Sequence, residues 1–248
     1  MALIQVGSIN SFAVAPATKT LQQQPRLRGV RSFSELKEVA AATPSDAFTL
    51  AVSAEDRGVG IKSIKLTEGF EGFLQNLLNP VNEIYFIAWA WDLSGQPVNH
   101  YPGEQVAPED VIFNIKAGKL REFIGEGINL FPKRKVTGGI ALRIQVWESD
   151  ADVRNFGKVM SKTVDTIRNS TLNNVISLIT AATGVTGATI TLVKDAALEL
   201  ADAIGKILQA NANDYVDFFE GYYAADQPWT PGHQSYEGNA SVLSLNCY

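Results

Sequence analysis

Residues 83–93 read EIYFIAWAWDL. A strand places successive side chains on opposite faces. Ile84, Phe86, Ala88 and Ala90 therefore share one face, and Tyr85, Ile87, Trp89 and Trp91 share the other. Neither face is polar, so this strand belongs in the middle of a sheet that is covered on both sides. Ala88 and Ala90 mark a face open to close approach, and the helical segment further along the chain is the expected neighbour there.

Shorter alternating runs surround this strand. FTLAVS (48–53) alternates Phe48, Leu50 and Val52 with Thr49, Ala51 and Ser53, and VIFNIK (111–116) puts Val111, Phe113 and Ile115 together. In IALRIQVW (140–147), Ile140, Leu142, Ile144 and Val146 face inward, while Arg143 and Gln145 are expected to face water. SVLSLN (241–246) reads as a last strand. Turn-forming spacers such as SGQP (94–97) and TGG (137–139) separate the runs. Short strands at this spacing predict an antiparallel β-sandwich, not βαβ units.

Between residues 161 and 209 the period changes from two to 3.6. One stripe is Val164, Ile167, Thr171, Val175, Leu178 and Ala182; another is Ile190, Val193, Ala197, Leu200, Ile204 and Ile207. GVTG (184–187) supplies the turn of an antiparallel pair, each arm about 33 Å long at 1.5 Å per residue. The fold class is thus α+β: mainly an antiparallel β-sandwich with an inserted helical hairpin. The expected organisation is an N-terminal arm and short helix over 1–45, sandwich over 46–160 and 210–248, and hairpin over 161–209. Within the arm, Pro16, Pro25 and Gly29 punctuate a basic stretch, and Ser32 and Glu35 have capping-box spacing for the short helix.

The hairpin contains 25 consecutive positions (169–193) without Lys, Arg, Asp or Glu. Asn169, Ser170, Asn173 and Asn174, with breaks at Gly184 and Gly187, make it too polar for a standing transmembrane span. It reads either as core packed on the sandwich or as a tip for a bilayer or a partner subunit. The candidate contact residues are Leu178, Ile179, Val185, Ile190 and Leu192.

Carboxylates gather near strand ends: Asp92 in WDLSG, Glu148, Asp150 and Asp152 in ESDADVRNFG, and Asp214, Asp217 and Glu220 in NANDYVDFFEG. Such hard oxygen ligands suit Ca²⁺, with Asp92, Glu148, Asp150, Asp152, Asp214 and Asp217 as the candidate set. The pattern is not an EF-hand, since Asn155 and Ser161 occupy the positions that need Gly and Glu. Three segments, VWESDAD (146–152), EFIGEGINL (122–130) and DFFEGYY (217–223), resemble those of C2 domains. These are eight-stranded β-sandwiches with an apolar strand end before a D-x-D loop, and a (D/E)-F-I-G-E element leading into an apolar strand. The resemblance implies a C2-like sandwich whose acidic loops bind calcium and meet phospholipid. Two departures stand against it: roughly sixty residues follow the D-x-D loop before the chain returns, and EFIGE precedes VWESDAD.

Hydrophobic residues make up 46% of the 248 positions and charged residues 19%, so the chain can bury a sizeable core. A formal charge of −5 argues against general nucleic-acid binding. The single cysteine, Cys247, excludes an internal disulfide framework. Phosphate-loop, nucleophile-elbow, HExxH and paired CxxC signatures are absent from the sequence, and His100 (VNHYPG) and His233 (TPGHQS) form no recognisable dyad. Trp229 in DQPWTPG reads as a loop anchor. The opening residues lack the features of a signal peptide, so the expectation is a cytoplasmic protein, with export by an apparatus needing no such peptide as the alternative. The functional expectation is a non-enzymatic module binding a membrane surface or a protein partner. Its rivals are a pore-forming, toxin-like protein and a structural subunit or homo-oligomer.

Overall fold

A computed structural model describes residues 3–6, 50–67, 81–103, 106–149, 153–179, 187–210 and 214–248. The short helix expected at 32–43 lies outside them. The strands are β1 (Leu3–Val6), β2 (Arg57–Leu66), β3 (Asn82–Trp91), β4 (Asn99–Tyr101), β5 (Phe113–Ile115), β6 (Leu120–Glu122), β7 (Ile128–Arg134), β8 (Gly139–Glu148), β9 (Asp214–Ala224), β10 (Gly232–Glu237) and β11 (Ser241–Cys247). The helices are α1 (Pro108–Val111), α2 (Val153–Arg168), α3 (Thr171–Ile179) and α4 (Gly187–Gln209).

Two antiparallel sheets result. One runs β1-β9-β8-β3-β4, with β5 also paired to β3; the other runs β10-β11-β2-β6, with β7 also paired to β2. The first forms because β3, β8 and β9 are long and rich in β-branched and aromatic residues, which suit a pleated, buried surface. Ile84, Phe86, Ala88 and Ala90 of β3, with Ile140, Leu142, Ile144 and Val146 of β8, are fully buried against Ile61, Ile64, Leu243 and Leu245 of the second sheet.

The opposite face of β3 is buried too, as its two apolar faces predict. Tyr85, Ile87, Trp89 and Trp91 pack with Phe156, Ile167, Leu172, Leu200 and Ile204 of the helices. The helices therefore cover the aromatic face of β3, not the alanine face, which meets the second sheet. Covering that face also buries Arg143 and Gln145 of β8, which alternation alone placed in water.

The helical segment begins at Val153, and its first arm is bent into α2 and α3. Ser170 sits at the bend, where its Oγ accepts a hydrogen bond from Asn173 N (3.2 Å), an N-cap that starts a new helix. The restart changes the phase: Leu172, Val175, Ile176 and Ile179 are buried, whereas Thr171 and Leu178 are half-buried.

Other expectations need correction. Residues 50–53 contribute only an isolated bridge, Val52 with Thr137, and Val52 is exposed; Phe48 and Thr49 lie outside the described residues. Val111 belongs to α1 and to the helix-side core, apart from Phe113 and Ile115 in the core between the sheets. DFFEGYY, with the acids of NANDYVDFFEG, lies within the 11-residue β9. Trp229 does anchor its loop, with its ring 5.4 Å from that of Tyr223 and the Arg57 guanidinium stacked 5.2 Å over it.

Candidate functional site

β8 and β9 are direct antiparallel neighbours, paired from Gly139 opposite Ala224 to Glu148 opposite Asp214, with one register shift between Val146 and Trp147. Such a pair needs only a tight turn to connect it. Here the chain between Glu148 and Asp214 instead builds α2, α3 and α4. The helical hairpin is thus an insertion into a β-hairpin, and continuity of the sheet does not require it.

Register fixes what lies beneath the insertion. Trp89, Arg143 and Glu220 form one cross-strand row; Ile87, Gln145 and Phe218 form the next; Tyr85, Trp147 and Tyr215 form a third. Arg143 Nε donates to Glu220 Oε1 at 3.0 Å, and Trp147 Nε1 donates to Gln145 Oε1 at 3.1 Å. Tyr85 Oη, Trp89 Nε1, Arg143 Nη1 and Gln145 Nε2 are buried with no hydrogen-bond partner among the described residues. A buried polar group without a partner costs about 1–3 kcal/mol. Burial pushes the Tyr85 hydroxyl pKa well above its ordinary value, and burial together with the Asp217 charge raises that of Tyr215.

The expected apolar contact residues divide. Ile179 and Leu192 are buried in the helix-side core, and Leu178 is half-buried against it. Ile190 lies in the first turn of α4, its side chain outside the described residues, as is Val185. Among the described residues, no helix is long and apolar enough to cross a membrane.

Of the expected carboxylates, the side chains of Asp92, Glu148 and Asp217 lie within the described residues, and Asp92 stands apart from Glu148. Trp91 pairs with Ala141, while Glu148 pairs with Ile84 and Asp214. Asp92 thus lies about 27 Å along the sheet from Glu148, eight residues at ~3.4 Å. It is buried and accepts from Ser94 Oγ (2.6 Å), Arg134 Nη2 (3.1 Å) and Thr137 N (3.1 Å). Asp217 is fully buried at the rim of the inter-sheet core. Its Oδ1 accepts from Asn239 N (2.8 Å), and its Oδ2 from Ala240 N (3.1 Å) and Ser241 Oγ (2.6 Å). It ties β9 to the β10–β11 turn, and Gly238 passes so close that a Cβ there would strike the carboxylate. Asp150 and Asp152 lie outside the described residues, as does the Asp214 side chain. Among the described residues, no group of three or more His, Cys, Asp or Glu could hold a metal ion.

A cleft of about 340 Å³ opens between α2 and the segment after β4, lined by Gly103, Val106, Met160, Ser161, Asp165 and Arg168 among others. None of the expected site residues borders it. His100 lies on β4 of the first sheet and His233 on β10 of the second. Cys247 is buried, and burial raises its thiol pKa, which disfavours the reactive thiolate. The buried row of Arg143 and Gln145 was missed by alternation. The signal that could have found it is β3 itself: a strand covered on both faces implies that its register neighbour is covered too.

No protein-family model matches this chain, and no curated protein matches it.

Proposed function

We propose that the chain is a non-enzymatic binding module in which the two sheets form a C2-like scaffold and the inserted helical hairpin engages a membrane surface or a protein partner. The observation that carries this reading is the insertion. An element that sheet continuity does not require, placed between two paired strands, fits a role outside the fold, since binding residues concentrate on connections held by a rigid scaffold.

The proposed calcium contribution narrows. Asp92 is remote, and both oxygens of Asp217 are taken by protein donors, so the full six-carboxylate set does not fit one site. Glu148, Asp150, Asp152 and Asp214 remain, the first and last paired at one sheet end.

Flotation of the full chain with dye-loaded liposomes, with Ca²⁺ and with chelator, tests the proposal. The module should float, and Ile190→Lys should abolish flotation through the hairpin. Release of dye would favour the pore-forming rival. A chain that neither floats nor leaks but elutes as an oligomer would favour the assembly subunit.

A further inference from the structure

We infer that the cleft between α2 and the segment after β4 is a binding site for a small aliphatic zwitterion, the chemical class of a free amino acid. Gly157, Met160, Ser161, Val164, Asp165 and Arg168 line it from α2. Their spacing of three and four residues places them on one helix face, roughly 17 Å long at 1.5 Å per residue. Met160 and Val164 are buried and form the floor with Val111 of α1. Pro102, Gly103 and Val106 face them from the segment after β4. Local bonds hold that wall: Val106 N donates to Gly103 O at 3.2 Å, and His100 Nδ1 donates to Pro102 O at 2.8 Å. The volume, about 340 Å³, suits a small metabolite.

Two residues on that face go against local helix preference. Gly157 lies inside a 16-residue helix, where glycine is among the least favourable residues, and it adds no side chain to the cleft wall. Asp165 lies in the last turn of α2, where the helix dipole disfavours a carboxylate. Its carboxylate has no hydrogen bond or ion pair among the described residues, although Lys162 and Arg168 stand three positions to either side. Ser161, one turn earlier, also departs from its neighbours. Thr163 and Thr166 donate their hydroxyls to the carbonyls of Val159 (2.9 Å) and Lys162 (2.8 Å). The Ser161 hydroxyl has no partner among the described residues. Residues that break a local rule are expected where a chain carries function.

Charge complementarity fixes the class of ligand. Ser161, Asp165 and Arg168 stand within two turns of one helix face, exposed at the rim above the aliphatic floor. An ammonium group meets the Asp165 carboxylate and the Ser161 hydroxyl, and a carboxylate meets the Arg168 guanidinium. An aliphatic side chain enters between Met160, Val164 and Val111. A cation alone would be repelled by Arg168, and an anion alone by Asp165, so both charges are needed. None of the described lining residues is aromatic, which favours an aliphatic body over a ring. The site lies on the first arm of the hairpin, apart from the residues expected to meet a membrane or a partner.

The test is isothermal titration calorimetry and thermal unfolding of the full chain with leucine and methionine, compared with isoamylamine, isocaproate and glycine. Wild type should bind the two aliphatic amino acids. The other three should bind about tenfold or more weakly, because each lacks the carboxylate, the ammonium or the side chain. Asp165→Asn and Arg168→Gln should each weaken leucine binding by about tenfold or more. Asp165→Asn should melt like wild type, since that side chain is exposed and bonded to nothing among the described residues. Asp202→Asn, at an exposed carboxylate of α4 bonded by Lys206, should bind leucine like wild type. Absence of both heat and a rise in Tm with leucine and methionine would overturn the inference. So would equal binding of isoamylamine, isocaproate or glycine, or an Asp165→Asn variant that binds leucine as wild type does. None of these outcomes bears on liposome flotation, so the proposed function is judged separately.

Discussion

Asp217→Asn distinguishes a structural strut from a calcium ligand at one residue. The carboxylate accepts three hydrogen bonds, two from backbone N–H groups and one from the Ser241 hydroxyl, at 2.6–3.1 Å in a fully buried position. Asparagine keeps the shape but replaces one oxygen with an NH₂ group, which then faces a donor. At least one backbone donor loses its acceptor, and the remaining bonds lose their charge assistance. A lost bond to a charged group costs about 1.5–3 kcal/mol and an orphaned buried donor about 1–3 kcal/mol. A net loss of about 3 kcal/mol follows, which lowers Tm by roughly 6–12 °C for a chain of this size. The assay is thermal unfolding by circular dichroism, in chelator and in millimolar Ca²⁺. The strut reading expects the full decrease in chelator and no difference in calcium response between variant and wild type. It would be refuted by an Asn variant that melts with wild type in chelator yet loses a calcium-induced rise that wild type displays.

Phe156→Ala removes a fully buried ring packed edge-on against Tyr85 at 4.9 Å. It should cost about 3–5 kcal/mol, with amide hydrogen exchange rising first in α2, α3 and α4; equal acceleration in β2 and β11 would show that the helical layer is not separable. Alkaline stability should fall from about pH 10 upward. Tyr85 and Tyr223 are buried, and burial holds both pKa values far above the ordinary value. The unfolded state therefore ionises first, and each group removes about 1.4 kcal/mol per pH unit above pH 10. Tyr101, pushed up to about 12, contributes only between pH 10 and 12. Tyrosinate absorbance during titration checks this, and titration of all seven tyrosines near pH 10 in the folded chain would contradict it.

Much of the fold was legible because local periodicity records which faces are buried. The two apolar faces of β3 foretold a covered sheet, and the change of period foretold a helical hairpin. The errors share a cause. Asp favours turns locally, so the acids of NANDYVDFFEG read as belonging to a strand end, while β9 runs through them, held by register with β8 on one side and β1 on the other. The partners of Asp217 lie 22 to 24 residues downstream. No local pattern shows that a carboxylate will be met there by three donors. Ile124 lies in the apolar run of EFIGEGINL, but its exposure depends on Phe123 turning inward to rings from two other strands.

The order of residues alone determined the two apolar faces of β3, the inward face of β8, the helical period of the segment after it, and the absence of a disulfide framework. Each follows from spacing along the chain or from composition. Tertiary structure decided which outward faces meet water, which carboxylates share a sheet end, and that the hairpin is inserted between paired neighbours. Those depend on register and on layers packed from distant parts of the chain. A strand's alternation states which side a residue occupies, and only the assembled fold supplies what covers it.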